Sequence, residues 1–314
     1  MNTANEIINS AFTGLEVKDS ENIELVNELL DKFRLRWSVS KQPLVLPDST
    51  PTGFFGIVRD DIKKTFTTVK DGYTPYQNSE LAELLIRIAD KGGYEIHSGG
   101  MFNDGGKVFM QLNTCNEIKN LGANSTTVKG YATAINSHDG TNSLKWGAVT
   151  FTICCRNTFA MASKALQQSA RHTASMHQKV EKSIREINGI AEVEKNLFDK
   201  FITLSEIPVN KTSIAEIVRT VTDVDINMAH AEASQKYSAY AINRSQELLS
   251  SISKEMKQKG ETMWGLFSGV THYTSHVMPA PKRDNARLES KYTGTGLSID
   301  NNAYSKVLQL AGVN

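Results

Sequence analysis

Apolar residues at Ile23, Leu25, Val26, Leu29, Leu30 and Phe33 recur at the spacing of one helix face and predict an amphipathic helix over Glu21 to Phe33. Pro43 and Pro47 make the stretch from Trp37 to Pro51 an extended arm. Two β-rich runs, Phe54 to Arg59 and Thr65 to Val69, flank the charged turn Asp60 to Lys64 and predict a hairpin. After the Asp71-Gly72 break, Leu81, Leu84, Leu85 and Ile88 mark the apolar face of a helix from Glu80 to Lys91, with Asn78 or Ser79 as its cap and Gly92-Gly93 as its stop. Tyr94 to Phe102, Lys107 to Thr114, Thr126 to Asn136 and Lys145 to Cys154 read as four strands of an antiparallel meander, turning at Asn103 to Gly106 and at Ser137 to Gly140. A helix rich in Ala, Met, Leu and Gln is expected from near Asn157 past Arg171, because no Gly or Pro follows until Gly189. From Glu192 onward the pattern is helical, with breaks at Pro208, Lys259-Gly260 and Pro279 to Pro281. The long polar helix expected from His230 to Lys257 suits either packing against another subunit or bridging solvent. The fold class is therefore α+β: an antiparallel β meander packed with a long helix, followed by a mostly helical C-terminal region. Its expected divisions are an N-terminal helix and arm (1–50), an α+β core domain (51–188) and a helical region (189–314).

Composition narrows the function classes. With 314 residues and 39% hydrophobic content, the chain can bury a sizeable core. No apolar run approaches a membrane span and the start lacks a secretory pattern, so the cytoplasm is the expected location. Cys115, Cys154 and Cys155 are odd in number and two are adjacent, which favours reduced thiols. The formal net charge is only +1, so attraction to an anion must be local. It is concentrated between Ser125 and Ser175, where Lys129, Lys145, Arg156, Lys164 and Arg171 face a single acid, Asp139, with His138 and His172 in addition.

Several motifs carry candidate chemistry. Gly72-Tyr73-Thr74-Pro75-Tyr76-Gln77-Asn78 joins a strand to a helix start, where Tyr73 and Tyr76 either stack on a base or wedge the turn into the core. Asn136-Ser137-His138-Asp139-Gly140 is a tight turn that sets a His beside a carboxylate, although neighbours on a turn point in different directions. Cys155-Arg156-Asn157-Thr158 lies at a strand-to-helix passage, the best anion site in the chain, with Arg156 as clamp. Lys164 and Arg171 line one stripe of the helix expected there. No metal-ligand spacing and no cofactor motif is present, and Gly105-Gly106-Lys107 lacks the Ser or Thr of a phosphate loop. Trp264 and Phe267 read as core anchors of a docking helix, and the His272/His276 pair has no third ligand.

Together with Trp37, Pro43-Leu44, Arg171-His172-Thr173, Trp264-Gly265, Tyr273, His276 and Arg287-Leu288-Glu289-Ser290, these motifs resemble, in order and spacing, the phage/plasmid-like protein family, domain of unknown function 932. The resemblance covers nearly the whole chain. Cys154 stands where the family pattern has Val, a change in packing. The family name carries no activity, so the resemblance implies a mobile-element origin. The order of a helix, a meander and a long basic helix is also similar to the core of single-strand annealing proteins of the Rad fifty-two and phage Red-beta kind, an analogy at the level of fold. Such proteins hold the backbone in a cationic groove, usually as rings, and leave the bases exposed.

The leading expectation is a homo-oligomer, a ring if it follows that analogy, which binds single-stranded DNA and anneals strands in phage or plasmid recombination. Lys129, Lys145, Arg156, Lys164 and Arg171 would contact phosphates, and Tyr73, Tyr76 or Trp146 would stack on bases. The alternative is an enzyme acting on a nucleotide or phosphorylated substrate, with His138, Asp139, Cys155, Arg156 and His172 converging, and Asn78, Asn136 and Asn157 completing the polar set. A third reading has the basic segment dock on an acidic partner protein.

Overall fold

The computed structural model describes residues 20–124, 126–152, 157–160, 167–185, 189–283 and 285–313. The fold is α+β, and the chain divides into two compact units. The first comprises Met1–Cys115, Tyr131–Gly147 and Gln167–Ala191, and the second Asn116–Gly130, Ala148–Leu166 and Glu192–Asn314.

In the first unit, α1 (Ser20–Lys32) precedes β1 (Val39–Val45), β2 (Pro51–Arg59) and β3 (Lys64–Lys70), an antiparallel sheet in that order. The extended arm is thus a paired edge strand, and its register slips between Pro43 and Val45, where proline supplies no donor. The next helix, α2 (Asn78–Gly92), is capped by Gln77, whose N–H donates to the Glu80 carboxylate at 2.5 Å, and ends at Gly93 in the left-handed region, φ 66°. Asn78, read from the sequence as a cap, turns inward instead.

The larger sheet is built from β4 (Glu95–Phe102), β5 (Lys107–Leu121), β6 (Thr126–Ser137), β7 (Leu144–Thr152) and β8 (Asn157–Ala160) in chain order, with β9 (Gln167–Ala170) also on β7. The expected meander is present. The expected helix from Asn157 past Arg171 is not, because Asn157–Ala160 and Gln167–Ala170 are strands antiparallel to β7. Ala and Gln favour a helix by only a few tenths of a kcal/mol per residue, roughly, and ladder hydrogen bonds with burial of Ala170 opposite Leu144 override that preference. Of the expected stripe, Arg171 follows a strand instead of lying on a helix, and Lys164 lies outside the described residues. Helix α3 (Met176–Arg185) comes after it.

Alternation along these strands sorts their side chains. Ile96, Val108, Met110, Leu112, Ala132, Ala134, Leu144, Trp146 and Ala170 join a single core with residues of α1, α2 and α3. Every helix wholly within the first unit thus packs on one face of its part of the sheet.

In the second unit the chain is helical from α4 (Gly189–Glu206) onward through α5 (Lys211–Thr222), α6 (His230–Lys236), α7 (Ala239–Lys259), α8 (Met263–His272), a π turn at Tyr273–Val277, α9 (Ala286–Thr293) and α10 (Thr295–Ala311). The long helix expected from His230 breaks at Tyr237, and Ser238 starts α7 by accepting from Ala241 N at 3.2 Å. Trp264 and Phe267 are buried as expected, packed with Phe201 and Tyr304. Among the described residues, no helix is long and apolar enough to cross a membrane.

Candidate functional site

The first unit assembles most of the expected polar set around the end of β6. There the His138 and Asp139 backbone N–H groups both donate to Gly106 O, at 2.8 and 3.0 Å, which ties the turn to the start of β5. Gly105 holds φ +100°, and a Cβ on it would stand 2.6 Å from the Trp37 ring, so this turn requires glycine. His138 turns inward: its Nε2 is 3.0 Å from Asn78 Oδ1, and its ring lies against those of Trp37 and Phe66. Asn78 is fixed in turn by donating to Leu35 O and Trp37 O, at 3.1 and 3.0 Å. Asn136 donates to Tyr76 O at 2.7 Å.

His172 follows β9. Its carbonyl accepts from Thr74 N at 3.1 Å, and its ring stacks on Tyr73 with 5.0 Å between centroids and 19° between planes. The Tyr73 hydroxyl donates to Ser137 O at 3.2 Å, so the His172 ring is positioned by the same strand end that carries His138. Both His172 ring nitrogens, Asn136 Oδ1 and Trp37 Nε1 are buried and make no hydrogen bond. Such orphans are uncommon in folded proteins and cost roughly 1–3 kcal/mol each.

His138 and Asp139 are not a hydrogen-bonded dyad. Asp139 accepts from the Ser137 and Thr141 hydroxyls at 2.5 and 2.6 Å and pairs with Lys107 at 3.3 Å. Burial pushes its carboxyl up, but the Ser137 and Thr141 hydrogen bonds and the Lys107 ammonium outweigh this and hold it below the usual carboxylate range. Burial, then the neighbouring His172, drive His138 down to about 3, so it is neutral at physiological pH. Burial also lowers His172, partly offset by the Thr74 backbone, which favours the charged ring.

The other face of this part of the sheet carries the cationic residues. Leu144 and Trp146 point into the core, so Lys145 between them lies on the opposite face, beside Ser169 of β9. Arg171 leaves β9 directly after the buried Ala170 and is exposed. Neither Lys145 nor Arg171 has an acidic partner among the described residues. Lys145 donates only to Asn142 Oδ1, at 3.4 Å, and burial lowers its ammonium pKa. On this face Gln111 links Ser98 and Thr133, and Phe102 and Phe109 stack at 5.1 Å. Sequence reading missed Lys107, Gln111 and Thr133, although alternation against Val108, Met110, Ala132 and Ala134 turns all three away from the helical core; all three are nonetheless buried.

The remaining candidates separate. Trp146 and Tyr76 are buried at 3% exposure, so neither offers a ring for stacking, whereas Tyr73 is half-buried. Lys129 is half-buried in the second unit. Arg156, Cys154 and Cys155 lie outside the described residues; Asn157 opens β8, and its side chain lies outside them too. No group of three or more His, Cys, Asp or Glu among the described residues is arranged to hold a metal ion.

A family model described as domain of unknown function (DUF932) matches residues 65–293, which include β4 to β9, the polar residues from Tyr73 to His172 and the helices α2 to α9. Neither a curated protein nor a solved structure shows a match to the chain.

Proposed function

We propose that this chain, which belongs to the DUF932 family, binds single-stranded nucleic acid, DNA foremost, as a homo-oligomer and promotes annealing of complementary strands. The observation that carries the reading is the pair Lys145, on the sheet face opposite the three helices, and Arg171, exposed just past the end of β9, with no acidic partner for either among the described residues. Unpaired cations on one surface are available to phosphates, and each phosphate neutralised adds a salt-dependent increment of affinity. A pair of cations also suits a strand whose bases remain free, because phosphate contacts position a nucleic acid without reading it. Self-association is supported by the β1–β2 hairpin, where Leu44, Val45, Leu46 and Phe54 are 36–55% exposed towards one end of the three-stranded sheet.

The reading is tested by competing a labelled single strand against the same sequence as duplex, and by following the annealing of two complementary strands with and without protein. Preference for the single strand and faster annealing are expected. Equal affinity for duplex, or no binding at low salt, overturns it.

The enzyme reading is favoured by one observation, the convergence of His138 and His172 on the Tyr73–Asn78 segment. His138 is committed to Asn78, however, which leaves His172 as the one member of that His pair whose ring nitrogens are both free to meet a ligand.

A further inference from the structure

We infer that the Tyr73–His172 ring pair forms a site for a nucleobase, one base per protomer of a bound strand, with Arg171 placed for its phosphate; the inference rests on the nucleic-acid reading above.

His172 is only 6% exposed, and both of its ring nitrogens are unpartnered. A neutral imidazole presents one N–H donor and one acceptor, and a buried site holding both unmatched suits a partner that offers a donor and an acceptor together. A phosphate offers acceptors alone, whereas a base edge carries both kinds of group. Asn136 Oδ1, also buried and unmatched, adds an acceptor around the same Tyr73–Asn78 segment. The imidazole is held ready: its carbonyl is pinned by Thr74 N, and its ring lies on Tyr73, which is itself anchored to Ser137 O. Arg171, the preceding residue, is exposed and so available to the phosphate of the same nucleotide. Holding bases by aromatic stacking and edge hydrogen bonds is how single strands are gripped, and one held base per protomer leaves the intervening bases free to pair.

The test uses His172→Phe, which keeps a ring on Tyr73 and removes both nitrogens. Three probes are titrated: a base-bearing oligonucleotide, an abasic strand of equal length and a nucleoside monophosphate. The wild type should prefer the base-bearing strand by about ten-fold, as expected for one held base. His172→Phe should lose that preference and keep its salt-dependent affinity for the abasic strand. A His172→Phe protein that retains the preference, or a wild type that never shows it, overturns the base site alone. Absence of binding to either strand overturns the strand-binding reading. A monophosphate that then still binds wild type but not His172→Phe preserves the base site while removing its assignment to a strand. Should His172→Phe fail to fold, His172→Gln carries the test: its amide supplies a donor and an acceptor, so part of the preference should survive, and complete loss counts against the site.

Discussion

Two buried polar groups in this molecule follow opposite rules. In the second unit, Lys291 and Asp300 form an ion pair with almost no exposure, and Thr274 completes it: Lys291 Nζ donates to Thr274 Oγ1 at 2.9 Å, and Thr274 donates to Asp300 Oδ1 at 2.7 Å. Burial raises the Asp300 carboxyl pKa and lowers that of the Lys291 ammonium, and the two charges are tolerated because each satisfies the other. In the first unit, the cluster around Tyr73 and Asn78 also has deeply buried members, Asn78, Asn136, His138 and His172, yet His172, Asn136 and Trp37 hold polar atoms with no partner. A closed network has nothing left to offer a ligand, whereas an open one is less stable than it needs to be and retains its bonding capacity. That contrast identifies the first unit's cluster, rather than the more strongly charged pair, as the place to look for function.

Substitutions should separate the two kinds of group, most strongly at the ion pair. Lys291→Met leaves the Asp300 carboxylate uncompensated and should cost about 3–5 kcal/mol in chemical denaturation, most of it regained in Lys291→Met/Asp300→Leu. A double variant as unstable as the single one would show that the pair acts through packing instead. Acid should act next, through His138. Its folded pKa of about 3 lies below the unfolded value, so the unfolded chain takes up the proton first, and stability present above pH 6.5 is lost as pH falls towards 3. Between pH 7 and 5 this amounts to about 2 kcal/mol, at roughly 1.4 kcal/mol per pKa unit. His138→Gln should be less stable at pH 7 but lose less between those pH values; an unchanged acid response would place the titrating group elsewhere. His172→Phe should raise stability by about 1–2 kcal/mol, the relief of two unmatched buried atoms being offset in part by the larger ring. A large loss would mean that those nitrogens hold the fold together. Smallest of all should be Leu44→Ser/Phe54→Ser in the β1–β2 hairpin, which should change stability by less than about 0.5 kcal/mol while lowering the particle mass in light scattering. An unchanged mass would remove the hairpin from any self-association.

How much of this was legible in the sequence depended on which force decided each element. Period-two alternation with turn glycines revealed the meander, because burial of one sheet face writes itself directly into the sequence. The same alternation, applied to Leu144, Lys145 and Trp146, would have moved Trp146 from the binding set to the core. The residues from Asn157 to Ala170 misled because their helical composition is a weak local preference, and the strands depend on pairing with β7, which composition does not record. The break at Tyr237 and the Ser238 cap were hidden by the unbroken polar pattern on either side. Of the site, the polar residues themselves were readable as a set. Their roles were not: the inward turn of Asn78 and the isolation of His172 arise from contacts with Leu35, Trp37 and Tyr73 that only the fold brings together.

The most direct test is the affinity of a labelled single strand for the wild type and for Lys145→Ala/Arg171→Ala, measured between about 50 and 200 mM salt. If these two cations grip phosphates, the wild type binds tightly at low salt, and the double variant binds more weakly with a log–log salt slope shallower by about two. An unchanged slope in the double variant, or no binding by the wild type at the lowest salt, would contradict the account.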